Sequence, residues 1–204
     1  MDLTWSGSQR AFAQAARWFV ATVPRARGRW DEPGLGEWDV RSLVGHTSRS
    51  LLTVESSLAT PAAQVDVASP GGYLRATRAI AAGGEVTDRG RAAGVALGED
   101  PAAAVAVIAE RVLALVAEQD GTALVTTIVG GMRLSDYLPT RVFELVVHTC
   151  DLARALGVRA DVPPEPAAHA LAVVAETAAA AGAAGDLLLA ATGRTRLPEG
   201  FSIL

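Results

Sequence analysis

Apolar residues recur at three- and four-residue spacing along most of the chain, in runs broken by proline and glycine. That period belongs to the α-helix. It predicts a helix over residues 5–23, interrupted by Pro24 and by the run from Gly28 to Gly36. A second helix should begin at Asp39, whose carboxylate can cap the free N–H groups of the first turn, and run to about Leu58. Trp38 before the cap and Leu43 four residues after it have the spacing of a hydrophobic staple. Pro61 follows, and residues 60–72 read as loop. Helical pattern resumes near Tyr73 and is weakened at Gly83 and Gly84. Pro101 starts a helix to about Gln119, ended by Gly121. The β-branched stretch TALVTTIVGG reads as extended. Ser135 and Asp136 then open a helix to about Leu156, with Gly157 as its C-cap. PPEP at 163–166 sets off a last long helix, about 165–181, and the tail after it reads as a short helix and then coil. Antiparallel helices with one long crossover predict an all-α fold: a four-helix bundle with additional short helices, as a single domain over 1–204.

Composition narrows the function classes. Half of the 204 residues are hydrophobic but only 5% are aromatic, so Ala, Val and Leu must build most of the core. Cys150 is the only cysteine, which excludes a disulfide scaffold, a cysteine zinc knuckle and a CxxC redox motif. The 18 basic residues are all Arg, against 22 acidic ones, for a net charge of −4. That balance argues against non-specific nucleic-acid binding. Without lysine there is no Schiff-base or P-loop lysine. The glycine strings GGEV and VGGM fit neither a dinucleotide nor a phosphate loop. No run of uninterrupted apolar residues is long enough to span a membrane, and the start, MDLTWSGSQR, lacks a signal-peptide pattern. A cytoplasmic location with no membrane partner is the expectation. Helical bundles often pair, which leaves a homodimer open.

The helix from Ser135 to Leu156 carries the most chemistry. On a helical wheel Glu144, His148 and Asp151 share a sector roughly 60° wide, with Tyr137 inside it and Arg141 at its edge. The other directions are mostly apolar, so the helix is largely buried. Its polar sector therefore faces either solvent or an internal polar cavity, and spacing leaves both open. Glu144 and His148 are an i, i+4 pair and can reach one metal ion, but a third ligand has to come from elsewhere. His46 lies at the edge of the stripe formed by Val40, Leu43, Val44, Leu51, Val54 and Leu58, beside the small residues Ser42, Gly45 and Ser50. It reads either as a groove-facing ligand or as a histidine satisfied by a backbone carbonyl. His169 is expected to be exposed. Cys150 points away from the polar sector and reads as a small core residue. Arg41, Arg49 and Arg141 are the arginines near the candidate faces, where they would bind a carboxylate.

Two segments carry a family resemblance. WDEPGLGEWDVRSLVGHTSRSL resembles the N-terminal signature of the mycothiol-dependent maleylpyruvate isomerase N-terminal domain, within the DinB-like superfamily. MRLSDYLPTRVFELVVHTCDLARALG resembles its R-x-x-E-L-x-x-H-x-x-D-L block, and TGRTRLPEGFSIL is similar to the closing segment of many members. The resemblance implies a DinB-like four-helix bundle that binds a divalent metal, usually zinc, through His46, Glu144 and His148. It also implies a low-molecular-weight thiol, mycothiol, at the open coordination position, adding as thiolate to an electrophilic small molecule. Asp151, one turn beyond His148, is placed to orient its imidazole as an outer acceptor. Maleylpyruvate isomerases of this family carry a second, C-terminal domain, which is not expected within these 204 residues. The expectation is thus a metal-dependent thiol S-transferase, or a thiol-assisted isomerase of another electrophile. The alternative is a non-catalytic metal-binding or stress-response protein of the same fold. A helical interaction module with a merely solvated polar sector is a third reading.

Overall fold

The computed structural model describes residues 4–81 and 85–204; the weakening expected at Gly83 and Gly84 lies outside them. The helices follow the apolar period closely. Helix α1 spans Trp5–Thr22, and its buried face of Ala11, Phe12, Ala15, Ala16 and Phe19 repeats every three or four residues. A 3-10 turn, Val23–Ala26, takes over at Pro24, which can enter a helix only at its first turn. Helix α2 spans Val40–Leu58, and the Asp39 side chain accepts the Ser42 N–H as its cap. Helix α5, Pro101–Ala117, is capped in the same way by Asp100. Between α2 and α5 the crossover carries α3, Pro70–Ala81, and α4, Glu85–Ala96. Helix α6 spans Leu134–Ala155, and Gly157 follows it at φ 65°, the left-handed geometry that closes a helix. Helices α7, Pro164–Ala180, and α8, Ala184–Ala191, complete the chain before the coil tail.

Helices α1, α2, α5 and α6 pack against one another as the bundle, and α7 lies against α1 and α6. The fold is all-α and DinB-like. Phe12, Phe19, Leu43, Leu51, Leu138, Leu145 and Leu152 are fully buried within one apolar core. None of the described helices is long and apolar enough to cross a membrane.

The extended stretch resolves into a hairpin: β3, Leu124–Thr127, pairs antiparallel with β4, Gly130–Arg133. A second small hairpin, β1 at Pro33–Leu35 with β2 at Trp38–Asp39, sits where the sequence suggested only a glycine-rich break. It delivers Trp38 into the core directly before the α2 cap. The loop after α2 is tied down rather than free. Ala62 N–H donates to Leu124 O, Thr126 N–H donates to Thr60 O, and the Asp66 carboxylate accepts the Gly131 N–H at 2.7 Å. These bonds hold the β3–β4 hairpin against the end of α2, beside the site described below.

Helix α4 lies unusually close to α2. A Cβ on Gly45 would overlap the backbone of Ala93 and Gly94, and one on Gly94 would come within 2.8 Å of Arg41 O. A Cβ on Gly90 would meet the Trp38 indole at 2.6 Å. Glycine at these three positions is what permits the contact.

Candidate metal centre

His46 on α2 and Glu144 and His148 on α6 converge. One ligand atom from each lies within 4.8 Å of the others, close enough to share an ion. The imidazoles of His46 and His148 meet edge to face with centroids 4.8 Å apart. Two helices therefore supply the set, as the i, i+4 spacing on α6 requires, and the third donor crosses from the neighbouring helix. Two imidazoles and a carboxylate are a donor set that suits zinc and related divalent ions, and they leave a coordination position open.

His46 is the informative member. Its Nδ1 is buried and has no hydrogen-bond partner. That removes the reading in which a backbone carbonyl satisfies the ring, and an orphaned buried nitrogen is what a ligand without its ion presents. The ring is fixed by the Trp38 indole, which lies against it with centroids 4.3 Å apart. Trp38 Nε1 donates in turn to Thr87 O of α4 at 3.0 Å. Burial, aided by the positive charge of His148, pushes the His46 pKa down to about 4. The ring is thus neutral at pH 7, the form that ligates a metal.

Glu144 and His148 hold each other in complementary states. Burial disfavours both charges, yet hydrogen bonds and neighbouring charges outweigh it. Glu144 accepts from His148 and lies beside Arg141, which brings its pKa down to about 2. His148 stands between two carboxylates: Nε2 is 3.2 Å from Glu144 Oε2, and Nδ1 is 3.3 Å from Asp151 Oδ2. Those partners raise it to about 9 against the effect of burial. With no ion bound, a proton on His148 bridges the site. Asp151 also accepts from Arg154 at 3.3 Å.

A cavity of about 460 Å³ opens beside the three residues, walled by α2, α3, α4, α6 and the β3–β4 hairpin. Arg49 and Arg141 both line it. Arg41 does not: its guanidinium donates to Gly94 O and Gly98 O and lies over Trp30, so it ties α2 to the end of α4 and to the segment before β1. By the helical period it lies about 140° from His46 and about 80° from Arg49. His169, expected at the surface, is 1% exposed. The face of α7 bearing Pro166, His169, Ala170 and Val173 turns onto α1 and α6, and His169 Nδ1–H donates to Glu165 O at 3.0 Å. Cys150 is half-buried, with its thiol pKa raised by burial, and it is not among the cavity residues.

Several contributors escaped the sequence reading. Trp38 was legible as a staple but not as the wall behind His46. Tyr73 on α3 and Tyr137 on α6 enclose the Arg141 guanidinium, and only Tyr137 shared the polar sector of the wheel. Thr126, Thr127 and Ile128 reach the cavity because the hairpin folds back, which no local pattern signals.

The profile of the mycothiol maleylpyruvate isomerase N-terminal domain family matches residues 9–153, which include all three converging side chains. The chain belongs to this family, a class of DinB-like bundles associated with mycothiol-dependent maleylpyruvate isomerase-like proteins. Comparison with curated proteins and with solved structures returns no match.

Proposed function

We propose that the protein is a divalent-metal-dependent enzyme that activates a low-molecular-weight thiol, with zinc as the ion and mycothiol as the thiol. It would catalyse S-transfer to an electrophilic small molecule, or thiol-assisted isomerisation of one. The observation that carries this reading is the convergence of His46, Glu144 and His148 at the wall of an open cavity, with His46 Nδ1 buried and unpaired. A structural zinc site is closed by four protein ligands, whereas three ligands facing a cavity suit a site that admits a substrate.

His46, Glu144 and His148 would hold the ion. When bound, it would supply Lewis acidity that lowers the pKa of a coordinated thiol and keeps it as thiolate. The chain's own residues do the rest. Glu144 offsets part of the positive charge. Asp151 accepts the Nδ1–H of His148, leaving Nε2 free to ligate. Trp38 excludes water behind His46 and fixes its ring plane. Addition of the thiolate would form the S–C bond and break the π bond of the electrophile, whose electron pair takes up a proton from solvent in S-transfer or re-forms the double bond as the thiolate is expelled in isomerisation. In S-transfer the adduct is kept, and in isomerisation the same bond breaks after rotation about the former double bond. Cys150 has no part, because the reacting sulfur arrives with the cosubstrate.

The test is elemental analysis of the purified protein followed by assay of the zinc-loaded form with mycothiol and a panel of electrophiles. One equivalent of metal and thiol-dependent adduct or isomer are expected. Both should be lost in His46→Ala. Metal without turnover on any electrophile would favour a non-catalytic metal-binding protein, and absence of metal after reconstitution would overturn the reading.

A further inference from the structure

We propose that Arg141 and Arg49 form an anion-binding subsite in the cavity beside the His–Glu–His cluster, built to seat a carboxylate of the small molecule that enters it. The position relative to the cluster rests on the metal-and-thiol reading above, whereas the subsite itself does not.

Arg141 is a charged side chain 7% exposed, and the cost of burying a cation is normally met by a paired anion. It has none. Among the described residues no carboxylate makes an ion pair with Arg141 or with Arg49, although other arginines of the chain are paired in this way. Arg141 is instead held by neutral groups. Its guanidinium carbon lies 5.0 Å from the ring centroids of both Tyr73 and Tyr137, and its Nε donates to Thr140 Oγ1 at 3.0 Å. These contacts fix the plane of the guanidinium and lower the cost of its burial without neutralising its charge. A guanidinium has five N–H donors, so donors remain for a ligand in the cavity.

Arg49 supplies the second cation from α2, one turn beyond His46, and it lines the same cavity without a carboxylate of its own. The two guanidiniums sense each other's charge, and Arg89, also in the cavity wall, adds to it. Glu144 is the one acidic side chain among the described residues of the cavity wall, and it pairs with His148. The cavity thus holds a surplus of positive charge around a planar, pre-oriented fork. That is the arrangement that recognises a carboxylate through paired N–H donors. Seated there, a carboxylate-bearing electrophile would be held with its reactive carbons toward the thiol.

Calorimetric titration of the full chain with succinate and with its neutral isostere succinamide tests this, first on metal-stripped and then on zinc-loaded protein. Succinate should bind in both forms, and succinamide at least about tenfold more weakly, as expected for loss of charge-assisted hydrogen bonds. Arg49→Gln and Arg141→Gln should each weaken succinate binding by about tenfold or more, with Arg41→Gln unchanged as the control. Arg49 is only partly buried, so Arg49→Gln carries the test if Arg141→Gln does not fold. Equal binding of the two probes, no succinate binding, or succinate binding that needs zinc and ignores Arg49→Gln would each overturn the subsite. Discrimination that persists in a protein unable to take up zinc would leave the subsite standing and remove the metal reading instead.

Discussion

Asp151 Oδ2 lies 3.3 Å from His148 Nδ1, on the edge of the imidazole opposite Glu144, whose Oε2 is 3.2 Å from Nε2. One carboxylate sits on the ligand side of the ring and the other behind it. Asp151 therefore sets which nitrogen carries the proton when an ion is bound. Asp151→Asn should lower zinc affinity about 10- to 100-fold without altering the fold, since an amide is a weaker acceptor for the ring N–H. Competition with a chromophoric chelator measures the first effect, and far-UV circular dichroism controls for the second.

The same three groups govern how an ion and protons compete. His148 is raised to about 9, so at pH 7 an incoming ion must displace its proton. About one proton should be released per zinc bound near pH 7, and the apparent affinity should climb with pH until about 9. Calorimetry in buffers of different ionisation enthalpy counts that proton. Release close to zero would mean that His148 is already neutral.

The metal-free protein should also show a stability maximum near pH 6.5. His148, with its folded pKa raised to about 9, contributes stability that is complete below its unfolded value of 6.5 and is lost as pH rises through 9. His46 is depressed to about 4, so the unfolded chain takes up a proton more readily, and stability falls as pH drops from 6.5 toward 4. Glu144, depressed from 4.5 to about 2, adds a further loss between those values. Melting curves from pH 4 to 10 in chelator read out both arms. Saturating zinc should remove the alkaline arm, because a bound ion replaces the proton.

Much of this was legible in the sequence, for reasons that differ by residue. The α6 triad of Glu144, His148 and Asp151 sits on one continuous helix, where 100° per residue fixes relative direction. The Asp39 cap and the Gly157 stop are local chemistry read from neighbouring positions. What packing between elements decides was hidden. The inward turn of His169 depends on how α7 settles on α1 and α6, although Pro166, His169, Ala170, Val173 and Thr177 do share a helical face. Arg41 and Arg49 are eight residues apart, yet the tight α2–α4 contact claims the first while the cavity keeps the second. The Tyr73–Arg141–Tyr137 stack joins two elements that no local period relates.

His169 offers a contrast with His46. His169 is buried and His46 half-buried, and each has one buried nitrogen without a partner, but only His46 has other ligand atoms around it. His169→Leu should leave zinc stoichiometry unchanged and shift stability by less than about 1 kcal/mol, since it removes an unmatched polar atom along with a local hydrogen bond. His46→Leu should abolish stoichiometric zinc binding. Elemental analysis and chemical denaturation of the two variants, side by side, separate a ligand from a packed histidine.

The α2–α4 contact makes the site sensitive to one methyl group. A Cβ on Gly45 would overlap the backbone of Ala93 and Gly94, and no side-chain rotation can relieve a clash with main chain. Helix α4 would have to move outward, and it carries the Thr87 carbonyl that anchors the Trp38 indole against His46. Gly45→Ala should therefore destabilise the protein by about 1–3 kcal/mol or more. Zinc affinity should fall as well, although Gly45 itself offers no ligand. Gly36→Ala is the natural comparison: its added Cβ meets nothing, and its cost comes only from the left-handed backbone at φ 57°. Urea denaturation and zinc titration of both variants should show lost stability in each but weakened zinc binding only in Gly45→Ala. Unchanged zinc affinity there would mean that the Trp38 wall does not depend on the seating of α4.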